Sequence, residues 1–179
     1  MATPTTTTET GRLDEAWIED FGQRYLDAWN SHDPDRVLAT MNEDIVYDDS
    51  AWPTTMRGHG DVREFLEHTW RAMPDLEFEV LGGPFLAISE PKATAYWRAT
   101  ATLTGPIDPP GFAPTNQRVT LEGFDYHEYR DGKISRLVIV FDPLDMARQI
   151  GAMPEPGTRA ERFGVLMQRL AAWRIRRRA

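Results

Sequence analysis

The chain has 179 residues, 41% of them hydrophobic and 11% aromatic, which suits one domain with a sizeable core, and its formal net charge is −8. It has no cysteine, which excludes disulfides, thiol chemistry and cysteine-held metal centres, and it lacks any apolar run near the ~18 residues of a membrane span or a secretory leader, so a cytoplasmic protein is expected. From Gly157 onward seven arginines face the single acid Glu161, so this tail carries +6 and the remainder −14, which argues against nucleic-acid binding by the main body.

Residues 1–11 are Thr-rich without apolar periodicity and are expected to be disordered, ahead of one domain over 12–153. Leu13, Trp17, Phe21, Tyr25, Leu26 and Trp29 recur at three- and four-residue spacing, one face of an amphipathic helix. Asp33 before Pro34 is an N-cap signal for a second short helix, Asp35 to Met41. Ile45 to Asp49 reads as a short strand. A third helix opens at Gly58-His59-Gly60-Asp61, carries Val62, Phe65, Leu66 and Trp70 on one side, and ends at Pro74. Beyond Pro74 the period changes to two. Leu76–Val80, Phe85–Ser89, Ala93–Thr104, Arg118–Tyr129 and Ile134–Phe141 are predicted strands separated by Gly/Pro turns. Helices followed by an antiparallel meander give an α+β architecture with the helices on one face of the sheet.

The loop Gly105–Asn116 carries four prolines and is stiff; it either rims a cavity or is a plain surface connection. Asp142-Pro143 starts a further helix that runs through Gln149 and is capped by Gly151. Residues 154–179 form a linker and a basic amphipathic helix in which Phe163, Leu166, Met167, Leu170, Trp173 and Ile175 lie beside the arginines. Such a helix either lies on an anionic membrane or packs on its own domain or a dimer mate; the acidic body favours the protein partner, a homodimer.

The stretches Ala99–Gly105, Arg118-Val119-Thr120, Asp131-Gly132-Lys133-Ile134, Phe141-Asp142 and Arg148-Gln149-Ile150-Gly151, with Tyr25–Asn30 and Asp44–Tyr47 upstream, resemble in order and spacing the SnoaL-like polyketide cyclases of the nuclear-transport-factor-2-like group, over roughly Trp17 to Gly151. The resemblance implies a cone-shaped fold, a curved mixed sheet and N-terminal helices enclosing a pocket for a small hydrophobic substrate. It also implies frequent dimers and no cofactor. The chain departs from the pattern at the catalytic positions. The acid of the aldol-condensing cyclases is Ile139 here, the strand-end His is Leu103, and the Arg-x-Asp pair of the related epoxide hydrolases is Arg98-Ala99-Thr100.

Chemistry must therefore come from other inward groups. A three-residue loop Arg130-Asp131-Gly132 would pair Tyr129 with Lys133 and place Asp125 opposite Leu137 and Gly123 opposite Ile139, on a face shared with Leu121 and His127; a two-residue loop would turn Asp125 away. Asp125 is the first candidate for a general base, since burial among apolar groups raises a carboxylate's proton affinity. His127 is the alternative proton carrier. Tyr47, on one strand face with Asp49, could hydrogen-bond a substrate carbonyl. Arg98, on a strand face with Tyr96, either holds a carboxylate inside or is solvated outside. Trp52, Trp70 and Trp97 could stack on a ring or simply fill the core. Leu121, Leu137, Ile139 and Phe141 would form the greasy wall. The spacing of the histidines offers no metal site. The function expected is a cofactor-independent cyclase, isomerase or dehydratase acting on a hydrophobic carbonyl compound, with a ligand-binding or assembly module and an epoxide hydrolase as the alternatives.

Overall fold

The computed structural model describes residues 11–109 and 111–176, so the expectation of disorder over 1–10 lies outside the described residues. Helix α1 (Glu15–Asn30) begins at Asp14, whose side chain accepts a hydrogen bond from the Trp17 amide at 2.9 Å, and it buries Trp17, Ile18, Phe21, Ala28 and Trp29. Helix α2 (Pro34–Ala39) is capped as expected by Asp33, which accepts from the Asp35 amide. It stops before Met41, because β1 (Met41–Asp49) already begins there. A two-residue strand, β2 (Met56–Arg57), precedes α3 (Gly58–Ala72). Then come β3 (Glu77–Leu86), β4 (Lys92–Thr102), β5 (Arg118–Arg130), β6 (Lys133–Phe141), α4 (Pro143–Gln149) and α5 (Arg159–Arg176).

The six strands form one open mixed sheet in the order β2-β1-β6-β5-β4-β3. The meander β3 to β6 is antiparallel throughout, and β1 returns beside β6 in parallel. The expected separate strand at Phe85–Ser89 is instead the second half of β3, which passes through Pro84 with register shifts around Gly82. An edge strand tolerates this proline because its missing N–H removes no bond on the open side.

The β5–β6 hairpin corrects one expectation and keeps its consequence. The turn has two residues, Asp131 (φ 53°) and Gly132 (φ 74°), between the paired Arg130 and Lys133. A left-handed Asp-Gly pair is the turn whose twist matches the flanking strands. Taken alone, that register would have aimed Asp125 away from Ile139. A bulge follows at once, however, since Tyr129 pairs with Ile134 but Glu128 pairs with Arg136, leaving Ser135 unopposed. The parity is restored, and Asp125 pairs with Ile139 and His127 with Leu137. Helices α1 and α3 cover this inner face, and Phe21, Tyr47, Leu66, Ile134 and Leu137 are among its fully buried side chains. Each aliphatic or aromatic group so buried contributes about 1.5–3 kcal/mol.

Candidate active site

Packing does not fill the space beneath α1. The inner face of β4 reads Ala93, Ala95, Trp97, Ala99, Ala101, and four alanines leave room that bulkier side chains would occupy. Gly123 on β5 admits the Trp97 ring, since a Cβ there would come within 2.6 Å of it. The result is a cavity of about 350 Å³, with Phe21, Trp29, Phe65, Trp97, Ile139 and Phe141 among its walls. That is the size of a pocket for a small organic molecule.

Into this apolar space two strands bring polar groups. On β5 the two-residue period puts Asp125, His127 and Tyr129 in a row on the inner face, all three buried. Asp125 Oδ1 accepts from the Ala95 amide at 2.7 Å. Its Oδ2 lies 3.2 Å from His127 Nε2, an ion-pair distance at which the ring N–H is not aimed well enough to count as a hydrogen bond. His127 Nδ1 is 2.7 Å from the Tyr129 hydroxyl. The neighbouring carboxylate favours the tautomer with its proton on Nε2, leaving Nδ1 to accept from Tyr129. Burial, then the charge of Asp125, push the Tyr129 phenol well above its ordinary range.

On β1 the same alternation aims Tyr47 and Asp49 inward. The Tyr47 hydroxyl donates to Asp49 Oδ2 at 3.0 Å, and the Ala51 amide donates to Oδ1 at 2.8 Å. Burial raises the Asp49 carboxyl to about 6, and these two hydrogen bonds only partly oppose it. Tyr47 is pushed up by burial and by Asp49. Tyr25 of α1 also lines the cavity and feels both carboxylates, its ring edge-on to His127 with centroids 5.1 Å apart. Burial, then Asp125, raise its phenol, so it stays a neutral donor. Its buried hydroxyl has no hydrogen-bond partner. The same holds for the Trp97 indole N–H. Buried donors without partners are uncommon, because leaving one unmade costs about 1–3 kcal/mol. Both residues line the same cavity, Tyr25 from α1 and Trp97 from β4.

The structure thus brings Asp125, His127, Tyr47, Asp49, Leu121, Ile139 and Phe141 to the cavity. It places the other expected residues elsewhere. Arg98 and Tyr96 occupy the outer positions of β4; the Arg98 guanidinium binds Glu79 and Glu122 there, and the Tyr96 hydroxyl donates to Glu122. The reason is parity, because the alanines and Trp97 take the inner positions of β4. Trp52 packs on Phe65 and His68 beyond the cavity, and Leu137 is fully buried in the core beside it. Tyr25 was read only as part of the apolar stripe of α1; a tyrosine in such a stripe, carrying a polar tip inward, was the signal. Among the described residues no three His, Asp or Glu side chains are grouped to hold a metal ion.

The model of the SnoaL-like domain family matches residues 23–137. Curated protein sequences include no match. Among solved structures, TsrD from Streptomyces laurentii superposes with a TM-score of 0.66 at 23% identity, covering 79% of this chain and 99% of that one. AclR from Streptomyces galilaeus, described as a candidate hydroxylase, gives 0.66 at 23% identity over 79% and 89% of the two chains. A candidate SnoaL-like polyketide cyclase from Jannaschia sp. gives 0.67 at 17% identity over 84% and 100%. At these identities the likeness is one of fold. With the family match spanning well over half of its length, the chain belongs to the SnoaL-like domain family.

Proposed function

We propose that the protein is an enzyme that binds a small, largely apolar carbonyl compound and moves a proton next to the carbonyl, leading to ring closure, isomerisation or loss of water. The observation that carries this reading is the placement of two carboxylates, Asp49 on β1 and Asp125 on β5, along one apolar cavity, with the Tyr25 hydroxyl near enough to feel both charges.

Asp49 is the base. A carboxylate raised to about 6 is ionised at neutral pH yet holds a proton better than an ordinary one, which is what abstraction of a weakly acidic C–H requires. Tyr47 orients it. The substrate carbonyl accepts from Tyr25, whose neutral O–H stabilises the oxyanion as negative charge develops; a positioned donor of this kind contributes roughly 10²–10³ in rate. The electron pair of the broken C–H bond passes to that oxygen, giving an enolate. It then returns through carbon to take a proton elsewhere, to form a ring bond or to expel a leaving group. Asp125, the first choice from the sequence, has one oxygen tied to Ala95 and the other beside His127. With His127 it forms the second proton carrier, which returns the proton. Neighbours described as candidate polyketide cyclases support a substrate of this class.

Ile139 opposite Asp125 favours one competing reading, a binding protein without turnover, because it removes the acid that related cyclases use. Deuterium exchange separates the two. A bicyclic aryl ketone incubated in D₂O should lose its α-protons with the wild type and keep them with Asp49→Asn. Binding of the ketone with no exchange above buffer would make the protein a carrier.

A further inference from the structure

The register of the sheet puts the two buried acids of the cavity in one row. Asp49 on β1 and Asp125 on β5 both pair with Ile139 of β6, which lies between them. Neighbouring strands are about 4.8 Å apart, so the two Cα atoms stand about 10 Å apart across Ile139. Aromatic rings border this row on both sides. Two residues back along β1 is Tyr47, and two residues on along β6 is Phe141, whose ring centroid lies 6.4 Å from that of Trp97. All three line the cavity, as does Tyr25 of α1, which feels the charge of both carboxylates.

The negative charge of this row is not matched. Among the described residues that line the cavity there is no lysine or arginine, and His127, beside Asp125, is the one side chain able to carry positive charge. Asp49 has a tyrosine hydroxyl and a backbone amide as its donors, and these only partly oppose the effect of burial. Burying a carboxylate away from any cation is costly. Proton abstraction would not relieve it, because the enolate gains the charge that Asp49 gives up. The offsetting group must therefore come with the ligand. Calcium and magnesium call for about six or more oxygen ligands, and the described residues group no three His, Asp or Glu side chains. Ring faces, by contrast, attract organic ammonium groups, most strongly where water is excluded. Two carboxylates, surrounding rings and an apolar floor suit an alkylated ammonium, which makes few hydrogen bonds and buries its carbon atoms.

We propose that the cavity is a receptor for an organic cation, and that the substrate is an apolar skeleton bearing a protonated or quaternary amine, seated over Ile139 between Asp49 and Asp125 and faced by the rings of Tyr47, Phe141 and Trp97. This deepens the reading of the cavity as a substrate site, on which it rests. The amine supplies the positive charge that the walls lack and offsets the charge of the developing enolate. Ligands bearing a carboxylate or a phosphate are disfavoured by the same two acids.

A matched pair of ligands tests this without any chemistry. Phenyltrimethylammonium and tert-butylbenzene have the same shape and differ by one charge. Their binding to the full chain is followed by tryptophan fluorescence, since Trp29 and Trp97 line the cavity. At pH 8 the cation should bind the wild type about tenfold more tightly than the hydrocarbon. Asp49→Asn and Asp125→Asn keep the oxygen that accepts from the Ala51 or Ala95 amide, and each should reduce that preference several-fold. The double variant should prefer the hydrocarbon, whose affinity stays as in the wild type and reports an intact cavity. Glu19→Gln, at an exposed acid that also lines the cavity, should leave the preference unchanged. The proposal is overturned if the wild type binds the hydrocarbon as tightly as the cation or binds neither, or if the preference survives the double variant. Loss of the preference in Glu19→Gln overturns it too, because the cation would then sit at Glu19 and not over Ile139. Neither ligand has a carbonyl, so the outcome is separate from the exchange reaction. A cation preference without α-proton exchange leaves this site standing and removes the enzyme; exchange without the preference does the reverse.

Discussion

Two polar clusters occupy opposite faces of the same strands. Outside, Arg98 holds Glu79 and Glu122, with Tyr96 donating to Glu122, all in contact with water. Inside, Asp49 and Asp125 share an apolar cavity with three tyrosines, and His127 is their single titratable nitrogen neighbour among the lining residues. The outer cluster has the better ion pairs and the smaller consequence, because solvent already stabilises each charge and a pair formed there adds little. The inner cluster has poorer pairing and the larger consequence. Asp49 has lost water there without gaining full compensation, so its proton affinity rises. Environment, more than residue type, separates a structural carboxylate from a working one.

The largest effect should separate the faces by substitution. Asp49→Asn should lower α-proton exchange of a ring ketone by roughly 10²–10⁴-fold with ligand affinity nearly unchanged; Glu122→Gln should leave exchange as it was. Next comes Tyr25→Phe, which removes the donor for the developing oxyanion and, apart from a weak contact with the Trp29 indole, nothing from the fold's hydrogen bonding. A drop of roughly 10²-fold in kcat with an intact thermal midpoint is expected.

A third comparison is thermodynamic. The folded state raises Asp49 from 3.8 to about 6, so folding favours its protonated form. The stability it contributes is fully present below about pH 4 and is lost as pH rises through about 6, a change on the order of 3 kcal/mol. Asp49→Asn, neutral at every pH, should therefore be more stable than the wild type at pH 8, with the gap closing toward pH 4 in urea unfolding. Smallest of all, Arg98→Ala should shift neither turnover nor the pH profile; a clear loss of turnover would mean that the outer face takes part in the chemistry.

Much of the architecture was legible in the sequence. The helix stripe from Trp17 to Trp29, the Asp33-Pro34 cap and the two-residue period after Pro74 all correspond to observed elements. The inward aim of Asp125 was read correctly for an incomplete reason, because the turn and the bulge at Ser135 each shift the register by one in the same sense; the total of two keeps the face and changes the partner of Asp125 from the expected Leu137 to Ile139. No local pattern announces such a bulge. The face of Arg98 was open from the sequence, since alternation says which residues share a side and not which side is covered. The alternating alanines of β4 carried that information, because a strand face of small residues under an aromatic helix must leave either a cavity or a close contact. The electrostatic character of Asp49 was not legible at all. It depends on Tyr47, on Ala51 and on the depth of the cavity, which exist only once β1 lies beside β6.

The most direct test is the pH dependence of α-proton exchange in D₂O, measured for the wild type and Asp49→Asn on the same aryl ketone. The expected wild-type rate climbs through about pH 6 and then levels, as Asp49 gives up its proton and becomes the base, and that limb is missing in the variant. Equal rates and superimposable profiles for the two proteins would contradict the assignment.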